Sequence, residues 1–175
     1  MILSLRDISE NTGKTEKTQA DLEIREITVN GVCYPVTSAS PVDITVENTG
    51  NKNLSVSASG EVQVVIPCDR CLKEVQCTVP YDVTRKLDMK QTDEQRIADL
   101  DEISYLTGTN LDVDRLVYLE VLMNWPVKVL CKEDCKGICS RCGKDLNLGP
   151  CGCADEPKDP RMAAISDIFS KFKEV

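Results

Sequence analysis

Hydrophobic and polar residues alternate with period two through most of the first ninety positions, the spacing of half-buried β-strands. Leu3 and Leu5 face one way and Ser4 and Arg6 the other, so residues 1–6 read as a first strand. Residues 10–20 are polar around Asn11-Thr12-Gly13 and are expected to form a mobile loop. Alternation returns over residues 21–29, and Asn30-Gly31 marks a tight hairpin into Val32-Cys33-Tyr34. Pro41 precedes a short run over residues 42–47, which Asn48-Thr49-Gly50-Asn51 turns. Leu54, Val56, Ala58, Val62, Val64 and Ile66 then share one face of a long strand, with Gly60 as a bulge or bend. Val75, Cys77, Val79, Tyr81 and Val83 mark its partner. Residues 91–110 are acidic and carry no clean period, which predicts a surface loop with at most partial helix.

From Asp112 the spacing becomes helical. Leu116, Leu119, Leu122 and Met123 recur at helical intervals, and Val113, Val117 and Val121 widen the stripe. Asn110 or Asp112 can cap this helix, and Trp125-Pro126 ends it. Asp159-Pro160 opens a last helix with Met162, Ile165, Phe169 and Phe172 on one face, expected to dock on its own domain. The fold class expected is α+β: an antiparallel β-sheet or open barrel with a packed helix, a cysteine-rich zinc knuckle and a C-terminal helix. Residues 1–126 make the β-rich domain. Residues 127–175 make the cysteine-rich segment and final helix.

Composition narrows the chemistry. Across 175 residues the chain is 41% apolar but only 4% aromatic, so its core must rest on Val, Leu and Ile. The net charge of −8 argues against a broad basic surface for nucleic acid. Histidine is absent, which removes the usual general base and a usual catalytic-zinc ligand. Residues 1–6 lack the basic start and long apolar run of a secretory signal, and no stretch approaches a membrane span. A cytoplasmic protein is expected, and in that reducing setting clustered cysteines favour metal over disulfides.

The chain has 10 cysteines, eight of them in short-spaced pairs: Cys68/Cys71, Cys131/Cys135, Cys139/Cys142 and Cys151/Cys153. Cys139-Ser-Arg-Cys142-Gly143 has the form of a zinc knuckle, and Cys151-Gly-Cys153 supplies a second pair after a short loop, completing a tetrahedral four-thiolate set. Cys131 and Cys135 then require two further ligands, and Cys68 with Cys71 is the remaining pair. Two Zn2+ ions follow from that pairing. The alternative is one ion, with Cys68/Cys71 a reduced pair in a turn and Cys131, Cys135 or both free. Cys33 and Cys77 are expected to be buried as small hydrophobes. A redox role for Cys68-Asp-Arg-Cys71 is disfavoured because strands flank it on both sides.

Taken in order, Pro67-Cys68-Asp-Arg-Cys71-Leu72, Trp125-Pro126-Val-Lys128, the run from Cys131 to Asn147 and Asp159-Pro160-Arg161 resemble the YceD family, called large ribosomal RNA subunit accumulation proteins. The resemblance implies a cytoplasmic bacterial protein that supports 23S ribosomal RNA accumulation and hence large-subunit assembly; action by binding is the expectation added to it. It implies no enzymatic activity and carries no catalytic residue over. The partner would be ribosomal RNA, through Lys128, Lys132, Lys136, Arg141 and Lys144, or a basic large-subunit ribosomal protein, through Asp99, Asp101 and Glu102. No membrane is implied, and the oligomeric state is left open. A zinc-stabilised nucleic-acid-binding module or a redox-responsive regulatory module is the alternative.

Overall fold

The computed structural model describes residues 1–98 and 103–153. Its described residues form two compact units, the first within residues 1–67 and 74–129, the second from the hexapeptide 68–73 together with residues 130–153. A linear division between residues 126 and 127 would leave that hexapeptide in the β-rich part, whereas here it belongs with the later cysteines. In chain order the strands are β1 (Ile2–Ser4), β2 (Thr15–Ala20), β3 (Glu26–Val29), β4 (Val32–Ala39), β5 (Val42–Gly50), β6 (Asn53–Pro67), β7 (Glu74–Asp88), β8 (Leu106–Thr107) and β9 (Asn110–Asp112). The helices are α1 (Arg6–Glu10), α2 (Asp93–Ala98) and α3 (Val113–Met123).

β6 and β7 organise the first unit. They pair antiparallel without a register break from Asn53↔Asp88 to Pro67↔Glu74. Along its other edge β6 pairs β5 through residues 53–59 and β4 through residues 62–64. β2 continues the sheet beyond β5 and β3 beyond β4, so six strands form one open antiparallel sheet. β1, β9 and β8 make a separate small sheet. The chain changes from β4 to β5 opposite Gly60, where Ser40 N donates to Glu61 O and Glu61 N donates to Ser40 Oγ, both at 2.9 Å. A Cβ at Gly60 would lie 2.5 Å from the Tyr81 hydroxyl and 2.9 Å from Ser40 Oγ. Glycine is needed here for close approach. Tyr81 is buried and its hydroxyl has no hydrogen-bond partner among the described residues. Burial, then nearby Asp43, pushes its pKa up to about 12.

The alternating apolar positions of β6 and β7 all face one core, together with Val42, Ile44 and Val46 of β5. Val113, Leu116, Val117 and Val121 of α3 join the same cluster, so this helix packs on the sheet. Asp112 caps it by accepting from Arg115 N at 3.1 Å. Of the expected stripe Val113, Leu116, Val117 and Val121 are buried, Leu119 and Leu122 are half-buried, and Met123 is 69% exposed. Glu120 occupies a core-facing position instead, at 8% exposure, because Arg85 reaches it from β7 at 3.0 Å. Trp125, just past the helix, rests against Tyr34 with ring centroids 5.0 Å apart.

Several elements differ from expectation. The first strand stops at Ser4, Leu5 is buried just ahead of α1, and α1 itself buries Ile8. Thr15–Ala20, expected as part of a mobile loop, is an edge strand formed by pairing with β5. Four of its six side chains are exposed and only Ala20 is buried, so no apolar alternation announces it. Only the last four residues of 21–29 pair as a strand, while Leu22 and Ile24 still pack against the core. Asn30 and Gly31 make the expected hairpin turn with φ of 51° and 81°. Cys33 is exposed rather than buried, and Cys77 is half-buried. The expected final helix, with Met162, Ile165, Phe169 and Phe172, and the acidic residues Asp99, Asp101 and Glu102 lie outside the described residues. Among the described residues no helix is long and apolar enough to cross a membrane.

Gly60→Ala is expected to destabilise the protein by about 1–3 kcal/mol through overpacking. Adding Tyr81→Phe should recover most of that loss, because it removes the clashing, unpaired hydroxyl. Urea denaturation followed by far-ultraviolet circular dichroism reads both; an undiminished midpoint for Gly60→Ala would contradict the tight corner.

Candidate metal centres

The strands β6 and β7 end at Pro67 and Glu74, and the six residues between them form a compact turn. Cys68 N donates to Lys73 O at 2.8 Å and Leu72 N to Cys68 O at 2.9 Å, with Leu72 in the left-handed region at φ 60°. The same pattern recurs 71 positions later. Cys139 N donates to Lys144 O and Gly143 N to Cys139 O, both at 2.9 Å, with Gly143 at φ 72°. Cys68-Asp-Arg-Cys71-Leu-Lys73 and Cys139-Ser-Arg-Cys142-Gly-Lys144 are therefore two copies of one knuckle.

Each knuckle meets a second pair of cysteines. Cys68, Cys71, Cys131 and Cys135 form one quartet and Cys139, Cys142, Cys151 and Cys153 the other, with sulfurs within 4.8 Å of one another in each. In the first, Cys68 Sγ lies 3.8 Å from Cys135 Sγ and Cys71 Sγ 3.4 Å from Cys131 Sγ. A tetrahedron with metal–sulfur bonds of about 2.3 Å has edges of about 3.8 Å. All eight cysteines singled out from their spacing thus come together as two fours. Cys68, Cys71 and Cys135 are buried, whereas the second quartet is half-buried, with Cys142 exposed. A four-sulfur set leaves no coordination position for water.

Polar contacts favour sulfur anions at selected positions. Burial works against the Cys68 thiolate, but N–H groups of Arg70, Cys131 and Cys71 donate to it and bring its pKa down to about 6. N–H groups of Cys142 and Arg141 bring Cys139 to about 6. The hydrogen bond with Cys71, then burial, pushes Cys131 up to about 12. The hydrogen bond with Cys142, then burial, pushes Cys153 up to about 11. Four sulfurs this close cannot all ionise alone; a cation in their midst would let them. The donor set fits a soft, tetrahedral dication.

The surrounding residues carry no sequence signal beyond the repeated Arg and Lys of the knuckles, and sequence reasoning missed them. Arg70 Nη1 donates to Cys135 O at 2.7 Å. Arg70 O accepts from Ile138 N at 3.1 Å and sits 2.9 Å from where a Cβ on Gly137 would lie, with Gly137 at φ 78°. Lys73 Nζ meets Asp145 Oδ2 at 2.9 Å, and this pairing, with the Asn147 N–H, holds the Asp145 pKa down at about 2. Asn147 Nδ2 reaches Cys135 Sγ at 3.5 Å. Of the cations considered for phosphate contact, Lys132 pairs with Asp134 at 3.7 Å and Lys144 donates to Pro150 O at 2.8 Å.

A family model described as "Large ribosomal RNA subunit accumulation protein YceD" matches residues 56–169. The chain belongs to the YceD family. An uncharacterized protein of Mycobacterium tuberculosis is 25% identical over 128 residues, covering 73% of this chain and 61% of that protein. One of Mycobacterium leprae is 22% identical over 129 residues, or 74% of this chain and 58% of its own length. The chain thus spans about three fifths of the mycobacterial relatives it matches. A chloroplast protein of Arabidopsis thaliana, named large ribosomal RNA subunit accumulation protein YCED homolog 1, is 30% identical over 59 residues, 34% of this chain and 17% of that protein. No solved structure matches. The YceD match contains both quartets whole.

The two knuckles suggest an exchange experiment. Leu72→Gly should stabilise the second unit by about 1 kcal/mol, since the left-handed position penalises leucine. Gly137→Ala should destabilise it by at least about 1–2 kcal/mol, from backbone strain alone. Limited proteolysis between residues 130 and 153 measures both; equal cleavage rates for the two variants would contradict this geometry.

Proposed function

We propose that each quartet holds one Zn2+ and that the chain, shaped by these ions, supports accumulation of large-subunit ribosomal RNA as a non-enzymatic binding factor. The observation that carries the reading is the YceD match, whose span includes every one of the eight paired cysteines. Zinc suits the sites because it takes four thiolates in a closed tetrahedron and has no redox chemistry of its own. Bound there, it supplies charge and geometry, while the knuckle N–H groups and Asn147 orient the sulfurs. Closed coordination supports a structural role over a catalytic one.

Charge favours a protein partner. Residues 1–67 and 74–129 carry 20 Asp and Glu against 11 Lys and Arg, an acidic surface suited to a basic large-subunit ribosomal protein. The knuckle cations have local work: Arg70, Lys73 and Lys144 are each engaged within the second unit. The proposed setting is the cytoplasm, where 23S ribosomal RNA is assembled.

Two measurements test the proposal. Elemental analysis of reduced, gently purified chain should give two zinc ions per chain, and a metal-free, equally ordered chain would overturn the zinc assignment. Depletion in cells should lower large-subunit relative to small-subunit ribosomal RNA. Wild-type chain should restore the ratio and Cys139→Ser/Cys142→Ser should not; an unchanged ratio on depletion refutes the functional assignment.

A further inference from the structure

The two quartets share a wall. Lys144, whose carbonyl closes the second knuckle on Cys139 N, is followed at once by Asp145 and, three residues on from Lys144, by Asn147. Asn147 donates to Cys135 Sγ of the first quartet and accepts from Lys136 N at 2.9 Å. Asp145 Oδ1 accepts from Asn147 N at 2.8 Å and Nδ2 at 2.7 Å, and Oδ2 meets Lys73, the last residue of the first knuckle. Backbone bonds stitch the same region: Ile138 N to Arg70 O, and Leu146 N to Gly137 O. Residues 143–150 therefore close the second quartet with their ends and supply outer contacts of the first with their middle.

We infer that the two metal sites act as one coupled pair, with Asp145 and Asn147 as positioning residues that pass the occupancy of either quartet to the other. This rests on the two-zinc reading above. The physical cause is conformational. An ion in the first quartet fixes Cys135 and the first knuckle, and so fixes the partners of Asn147 and Asp145. The segment 143–150 is then held at its centre before its ends must converge on a second ion, and the ordering cost of that step falls. Linkage makes the effect reciprocal: the second ion must tighten the first site by the same factor. Neither positioning residue is a metal ligand. Contacts of this outer kind commonly change metal affinity 10–100-fold.

The test uses the full chain and Zn2+ competed against a chelator of known affinity, with Co2+ as a spectroscopic stand-in. Cys151→Ser/Cys153→Ser keeps the first quartet, and Cys68→Ser/Cys71→Ser keeps the second. The surviving site in each should bind at least about fivefold more weakly than in the wild-type chain, by equal factors in the two directions. Asp145→Asn and Asn147→Ala retain all eight sulfurs. Both should still give the sulfur-to-cobalt spectrum of four thiolates at each site, while wild-type release of two ions in a single step becomes two steps. Two ions per wild-type chain with each site indifferent to loss of the other overturns the coupling and leaves the two-zinc reading standing. Fewer than two ions overturns both. Coupling undiminished in both Asp145→Asn and Asn147→Ala overturns the assignment of these residues.

Discussion

Two clusters of four sulfurs stand where a hydrophobic core would be among the described residues of the second unit, and the structure rests on what can hold those sulfurs together. Among its described residues, the buried ones are Cys68, Cys71, Cys135 and Gly137. Leu148 is 78% exposed and Ile138 37%. A segment with so little apolar burial cannot offset the entropy of ordering its backbone, at roughly 1–2 kcal/mol per residue. Metal–thiolate bonding is of the right size, since structural zinc contributes about 10–16 kcal/mol in small domains. The first unit needs no such help. Its Val, Leu and Ile side chains fill one continuous core, with Tyr81 as its fully enclosed aromatic.

Strand pairing supplies what the sulfur cluster needs from elsewhere in the chain. The register of β6 and β7 is unbroken up to Pro67↔Glu74, so the first knuckle begins and ends on paired backbone. A left-handed leucine is tolerated at its fifth position because the turn around it is fixed on both sides. The second knuckle is flanked by a single antiparallel bridge, Ile138↔Asp145, in place of a long ladder, and uses glycine there. The same hydrogen-bonding solution is thus reached from two local sequences, one braced by a hairpin and one permitted by residue type.

How legible each part was depends on whether its cause is local. β6 and β7 could be read because each has one face buried along its length, which forces strict alternation. β2 could not, since an edge strand that buries only Ala20 has little reason to alternate. α1 escaped because Leu5 and Ile8, three residues apart, are too few to establish a period. The stripe of α3 was read correctly at Val113, Leu116, Val117 and Val121 but wrongly included Met123 and left out Glu120, because nothing local reveals that Glu120 would find Arg85. The thiol pairs were plain from their spacing, and joining Cys68/Cys71 to Cys131/Cys135 followed from counting ligands. Asp145 and Asn147 were invisible as partners of a distant knuckle; only the folded arrangement gives an ordinary acid and amide that role.

The interleaving of the two units has a consequence for synthesis. Cys71 and its neighbour Cys131 are 60 positions apart. At about 5–20 residues per second, a growing chain carries the hairpin thiols for roughly 3–12 seconds before their counterparts have been joined to it. Over that interval β7 and α3 are being made, so the first unit can assemble before the first quartet has all its sulfurs. The first quartet is thus completed only after every residue of the first unit, which ends at Val129, has been joined to the chain.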